Sequence, residues 1–177
     1  MMKKLLPVLL CAGLCAAPAA SAKTVTNLGT GVAIALPLIA GGITVSKRDW
    51  TGTAQLTVDT LATVGTAFAL KQVIRERRPD GSDFKSMPSD TSALAFAPAQ
   101  FLWDRYGWQY GVPAYMAAGF VGFTRVDAKK HHWYDVAASA GLAFGFSKLI
   151  TTEYRGRWDY TASLTDGGLY AGVQYRF

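Results

Sequence analysis

Cysteine and histidine are nearly missing from this chain, with 2 of each in 177 residues. Both cysteines, Cys11 and Cys15, lie in the first 22 residues, which read as a secretory leader. Lys3 and Lys4 open it, LLPVLLCAGLCAA is its apolar run, and ASA before Lys23 offers small residues for cleavage. Each cysteine follows Leu, where a lipoprotein leader wants a small residue, so no lipid anchor is expected. Without the leader the chain has no cysteine, which excludes disulfides and thiolate-held metals. An exported protein held together by packing alone fits a bacterial cell envelope. Charge is also scarce, 17% against 50% hydrophobic residues, so the chain can bury a sizeable core or partly enter a bilayer. No basic run is interleaved with aromatics at a helical or strand period, which argues against a nucleic-acid partner. The formal net charge is +6, of which Lys3 and Lys4 belong to the leader. The remaining excess suits anionic lipid or phosphate, and equally ordinary solubility.

The length suggests one domain, residues 23–155, followed by a tail of different character, 156–177. Residues 28–45 carry no charge, and residues 50–74 are apolar with one internal carboxylate, Asp59. A polar loop, RERRPDGSDFKSMPSD, separates these from three shorter segments, 91–103, 110–123 and 136–150. These patterns predict a mainly α fold, a bundle of about five core helices with a C-terminal β-hairpin. Crossing a bilayer takes about 20 apolar residues, and only the first two segments approach that. The later ones are rich in Ala and Gly. Ala137, Gly141 and Gly145 recur every four residues, which lets helix backbones approach closely. A membrane-associated bundle is therefore preferred to a soluble one. In the tail, TDGG separates two Tyr-bearing runs, and Leu169, Ala171, Val173, Tyr175 and Phe177 alternate onto one strand face. One hairpin is too little for a membrane barrel, which needs about eight strands, so the hairpin is expected to pack on the bundle.

Both histidines stand side by side in TRVDAKKHHWYDV, Thr124 to Val136. Such a stretch is either a wet surface loop or half of a site that handles phosphate. Phosphoryl transfer needs fixed cations and N–H groups facing the phosphoryl oxygens, and a nucleophile whose protonation is set by an orienting partner. Arg offers two parallel donors and Lys a compact charge. The chain supplies these in order. Lys71 is followed after six residues by Arg78-Pro79, then by Pro88-Ser89-Asp90-Thr91, then by Arg125, five residues, His131, three residues, Asp135. Ser89 or Asp90 could cap the third helix and leave N–H groups for an anion. His131 and Asp135 are four apart, so on a helical turn Asp135 could accept from one ring nitrogen and leave the other free. Taken singly, these residues have plainer roles. A cation near a helix end ordinarily meets solvent, Asp135 could cap the fifth helix, and Trp133 and Tyr134 suit a membrane surface. Asp59 could pair with a buried cation or mark the polar side of a soluble bundle.

The set resembles the three-part signature of the type 2 phosphatidic acid phosphatase superfamily, which includes the vanadium haloperoxidases. That pattern is Lys, six residues, Arg-Pro; Pro-Ser-Gly-His; Ser-Arg, five residues, His, three residues, Asp. The first part is matched by Lys71, Arg78 and Pro79. The third is matched by Arg125, His131 and Asp135, with Thr124 in place of Ser. The resemblance implies a helical bundle with its site at the ends of core helices. It implies His131 as the nucleophile forming a phosphohistidine, Asp135 as its orienter, and Lys71, Arg78, Arg125 and Ser89 on the phosphate oxygens. No metal or other cofactor is implied.

The second part departs from the pattern, with Asp90-Thr91 where the family has Gly-His. That His protonates the leaving group, and Thr cannot. Asp90 could act as the acid, although the surrounding cations oppose it. His132 could be borrowed, although on a helix it points about 100° away from His131. A leaving group of low pKa, such as another phosphate or an anomeric oxygen, would need no acid. Activity could also be lost and phosphate binding kept. The expected function is removal of phosphate from a lipid-linked phosphate or pyrophosphate in the envelope, with membrane contact. The alternatives are a phosphatase of small soluble phosphoesters and a non-catalytic phosphate-binding protein. A haloperoxidase is disfavoured by the missing His and the short chain. Nothing in the residues addresses oligomeric state.

Overall fold

The structure is a computed structural model that describes residues 22–154, 158–165 and 168–175. Five helices make up the bundle: α1 (Ala22–Ser46), α2 (Trp50–Val73), α3 (Asp90–Tyr106), α4 (Trp108–Asp127) and α5 (Trp133–Ile150). The expected leader lies almost wholly outside the described residues.

The helix boundaries follow from local chemistry. Asp49 caps α2, its side chain accepting from Gly52 N at 2.9 Å. Ser89 caps α3, accepting from Ser92 N at 3.3 Å. Gly107 separates α3 from α4 at φ 87°, ψ −178°, a conformation open to a residue without Cβ. At the start of α5, Asp135 accepts from His132 N at 2.8 Å and so closes the first turn.

α3 is the hub. It contacts each of the other four helices, while α1, α2, α4 and α5 surround it. Its composition explains this position. Ala93, Ala95, Ala97 and Ala99 are fully buried and small enough to let four neighbours approach, and Phe101 fills the space between them. The surrounding helices run up and down, so the C-terminal ends of α2 and α4 meet the N-terminal ends of α1, α3 and α5. α1 lies tight against α4. A Cβ on Gly29 would sit 2.0 Å from Thr124 Oγ1, so only glycine permits that approach.

The outer faces of the surrounding helices carry large apolar side chains, among them Leu38, Leu61, Met116 and Leu149, all at least 68% exposed. Trp50 and Trp108 are exposed at one end of the bundle, and Trp133, Tyr134 and Phe84 at the other. Among the described residues one helix, Lys23–Ser46, is long and apolar enough to cross a membrane by length and composition. Asp59 is fully buried, and among the described residues no cation pairs with it and neither of its oxygens has a hydrogen-bond partner.

Past Tyr154 the described backbone forms β1 (Trp158–Thr165) and β2 (Gly168–Tyr175), paired antiparallel with Leu164 opposite Leu169. The side-chain face expected from Leu169, Ala171, Val173, Tyr175 and Phe177 lies outside what is described.

Candidate active site

The site lies at the end of the bundle where the chain passes from α2 to α3 and from α4 to α5. Lys71 belongs to the last turn of α2 and is buried. The loop that follows is pinned at several points. Arg78 Nε donates to Asp83 Oδ1 at 2.7 Å, Ser86 N donates to Glu76 O at 3.0 Å, and Asp80 N donates to Lys129 O at 3.0 Å. Lys130 Nζ pairs with Asp80 at 2.6 Å, tying this loop to the one before α5.

His131 sits in that second loop and is 5% exposed. Its Nδ1 lies 2.7 Å from the Ser86 carbonyl oxygen. A carbonyl only accepts, so Nδ1 carries the hydrogen and Nε2 keeps its lone pair. Nε2 faces Arg78 Nη1 at 3.4 Å, and the same guanidinium nitrogen donates to the Lys130 carbonyl at 3.0 Å. Burial pulls the His131 pKa from 6.5 down to about 4. Arg78 and Lys71 push the same way, and the Ser86 carbonyl and Asp135 oppose them. At neutral pH the ring is therefore uncharged, with its open nitrogen beside a cation.

Four sequence expectations need correction or refinement. First, Asp135 is not the hydrogen-bond partner of His131. Its Oδ2 is 3.6 Å from Nδ1, and it accepts instead from Ser86 Oγ and His132 N. The reason is that His131 precedes α5, so the two residues do not share a helical face. Asp135 acts one step removed, holding the serine whose carbonyl holds the ring. Second, Arg125 is turned away. Its guanidinium donates to the Thr26 carbonyl at 2.5 Å and to Thr30 Oγ1 at 3.1 Å on α1. Its own carbonyl accepts from His131 N at 3.3 Å, so it supports the imidazole through the backbone. Third, Asp90 is ion-paired with Lys71. Fourth, the His132 ring stacks on Tyr134 at 4.7 Å; its Nδ1 lies 3.5 Å from Asp135 Oδ2 without a hydrogen bond, and only its main-chain N donates to that carboxyl group.

Ser89 is fully buried. Its Oγ accepts from Ser92 N and from Ser92 Oγ at 2.9 Å, so its acceptor capacity serves the α3 cap. The first turn of α3 leaves the N–H groups of Asp90 and Thr91 without helical partners. The structure thus brings Lys71, Arg78, Asp90, His131 and Asp135 to one end, with Ser89 beneath them and the Arg125 side chain directed elsewhere. Ser86 was missed from sequence. It acts largely through a main-chain carbonyl, which any residue has, so no side-chain pattern marks it. No group of three or more His, Cys, Asp or Glu able to hold a metal ion occurs among the described residues.

Chemically, the site is a neutral imidazole with an open nitrogen, set among cations at the mouth of a helical bundle. A lipid A 4'-phosphatase from Helicobacter pylori is 31% identical to this chain over 135 residues, covering 70% of this chain and 68% of that protein. The chain belongs to the lipid phosphatase family of that relative. No protein-family model and no solved structure matches it.

Proposed function

We propose that the protein is an envelope phosphatase of the type 2 phosphatidic acid phosphatase kind, removing phosphate from a lipid-linked phosphate. The observation that carries this reading is the His131 ring, fixed with Nδ1–H on the Ser86 carbonyl and Nε2 open beside Arg78. Nε2 attacks phosphorus in line. The bond to the leaving oxygen breaks, and that oxygen departs with the electron pair. Arg78 and Lys71 balance the charge on the phosphoryl oxygens. Water then attacks phosphorus, the P–N bond breaks, phosphate is released and the neutral ring is restored. With Asp90 ion-paired to Lys71 and the His132 ring stacked on Tyr134, neither of the two candidate acids is placed to supply the leaving-group proton. The reading therefore favours a leaving group of low pKa, such as a second phosphate or an anomeric oxygen.

Lipid contact is part of this proposal. Four helices present large apolar side chains outward, and aromatic residues sit at both ends of the bundle. The relative's name, lipid A 4'-phosphatase, agrees with a lipid substrate. The leader read from residues 1–22 agrees with export.

A second reading, a non-catalytic phosphate-binding protein, is favoured by one feature, the Asp90 carboxylate seated on Lys71. His131→Ala separates the two. Purified native protein should release phosphate from lipid phosphates, and the variant should lose at least about a thousandfold in rate. A native protein that releases none from phosphatidic acid, undecaprenyl pyrophosphate or lipid A sinks the enzyme reading.

A further inference from the structure

Beside Lys71 a recess of about 630 Å³ opens outward, lined by Gln72, Arg75, Asp83, Phe84 and Lys85. Lys71 forms its inner wall, while His131 does not line it. The recess therefore lies beside the His131 position rather than around it, and it shares the Lys71 cation with it. Its charge is unbalanced. Arg75 and Lys85 make no ion pair or side-chain hydrogen bond among the described residues, and the lining carboxylate, Asp83, is already engaged by Arg78 and by Lys85 N. Arg75 and Lys85 are exposed, so their charges are solvated but available. Two free cations beside a phosphate-site lysine, in a space larger than one phosphate fills, fit a second anion.

We propose that this recess is a second phosphate subsite, holding a further phosphate group on the same substrate molecule while Lys71, Arg78 and His131 engage the one to be removed. The inference rests on the phosphatase reading and adds a preference for substrates with two phosphates. Those two phosphates could be adjacent, as in a diphosphate, or carried at separate positions of a sugar headgroup.

The test compares native full-length protein with the double variant Arg75→Gln, Lys85→Gln in nonionic detergent micelles. Three probes are used: phosphatidic acid, diacylglycerol pyrophosphate, and a disaccharide lipid with two separate phosphates. The readout is kcat/KM on each two-phosphate probe relative to phosphatidic acid. That preference should fall about tenfold in the double variant, on the order of one charge-assisted contact. The two-phosphate probe that loses most identifies the spacing. An unchanged preference on both, or a parallel loss on all three probes, overturns the subsite. Calorimetric binding of inorganic pyrophosphate and inorganic phosphate gives a readout that needs no turnover. Native protein should favour pyrophosphate and the double variant should not. Equal binding by the two proteins also overturns the subsite, whereas absent turnover with intact pyrophosphate preference would remove only the phosphatase reading.

Discussion

Ser86→Ala deletes one hydroxyl from the most enclosed part of the site. Ser86 and Asp135 are both fully buried. Ser86 Oγ donates to Asp135 Oδ2, and Asp135 Oδ1 has no hydrogen-bond partner. After the substitution the buried carboxyl group keeps one donor, His132 N at 2.8 Å. A hydrogen bond to a charged group contributes about 1.5–3 kcal/mol, and an acceptor left unsatisfied in the interior costs a similar amount. The expected loss of stability is therefore about 2 kcal/mol. The main-chain carbonyl that holds His131 is unchanged by the substitution, so the Nδ1–H tautomer should persist, with catalysis slowed through looser placement of the ring. Denaturant unfolding in detergent measures the first effect, and 15N NMR of the imidazole the second. Asp135→Asn provides the partner for a double-mutant cycle. If the hydroxyl and the carboxyl group act on one another, the double variant should lose about 1–2 kcal/mol less than the sum of the single losses. Additivity within about 0.5 kcal/mol would refute the relay from Asp135 through Ser86 to His131.

Other outcomes follow from the same geometry. Because the His131 pKa lies near 4 in the folded protein, Nε2 stays unprotonated down to that pH, and the acid limb of kcat/KM should centre near 4; a limb near 6.5 would contradict the buried ring. The same depression means that the unfolded chain binds the proton first as pH falls, so this group removes stability between 6.5 and 4 and contributes no further change below that range. Asp90→Asn takes away the carboxylate that Lys71 holds, so inhibition by inorganic phosphate should tighten severalfold without selective slowing of poor leaving groups; an unchanged inhibition constant would show that Asp90 does not compete for Lys71. Gly29→Ala drives a methyl group into Thr124 and should cost about 1–3 kcal/mol of stability, read as a lowered melting temperature; a neutral outcome would mean that α1 does not pack on α4 this closely.

The helices were legible because their apolar runs are long and the polar loop between α2 and α3 is unmistakable. Their ends were less so. Asp90, Arg125 and Trp133 lie within or at the ends of helices, although the apolar runs stop short of them, because caps and terminal turns are built from polar residues. α1 begins well before the charge-free stretch at Leu28, and its early turn carries the Thr26 carbonyl and Thr30 hydroxyl that hold Arg125. The site was legible as a list of residues and much less as a set of directions. Spacing predicted that His131 and Asp135 would share a face, but a helix that starts at Trp133 removes that premise. The Lys71–Asp90 pair was signalled only as an unfavourable setting for an acid. The carbonyl that holds the imidazole leaves no trace in side-chain identity.

The intervals between the candidate residues have a mechanical origin in the bundle. Lys71 ends α2 and Asp90 begins α3, so the loop between them, which carries Arg78 and Ser86, never leaves this end of the molecule. α3 then travels away for 17 residues and α4 returns for 20, about 26 Å out and 30 Å back. That excursion sets Asp90 and Arg125 35 positions apart and still returns the chain to its starting level. His131 follows in the short turn before α5, whose first helical turn is fixed by Asp135. Two loops, each pinned by hydrogen bonds, thus supply the ring and Arg78, the last turn of α2 supplies Lys71, and the helices set how far apart in sequence they fall. Lengthening α3 and α4 by one full turn each should leave the site intact, because both changes cancel on return. Lengthening α3 alone should displace His131 from Ser86 and Arg78, abolish phosphate release, and shift the His131 pKa toward 6.5 by NMR titration. Retained activity in the second variant would mean that the two loops do not depend on the helices to meet.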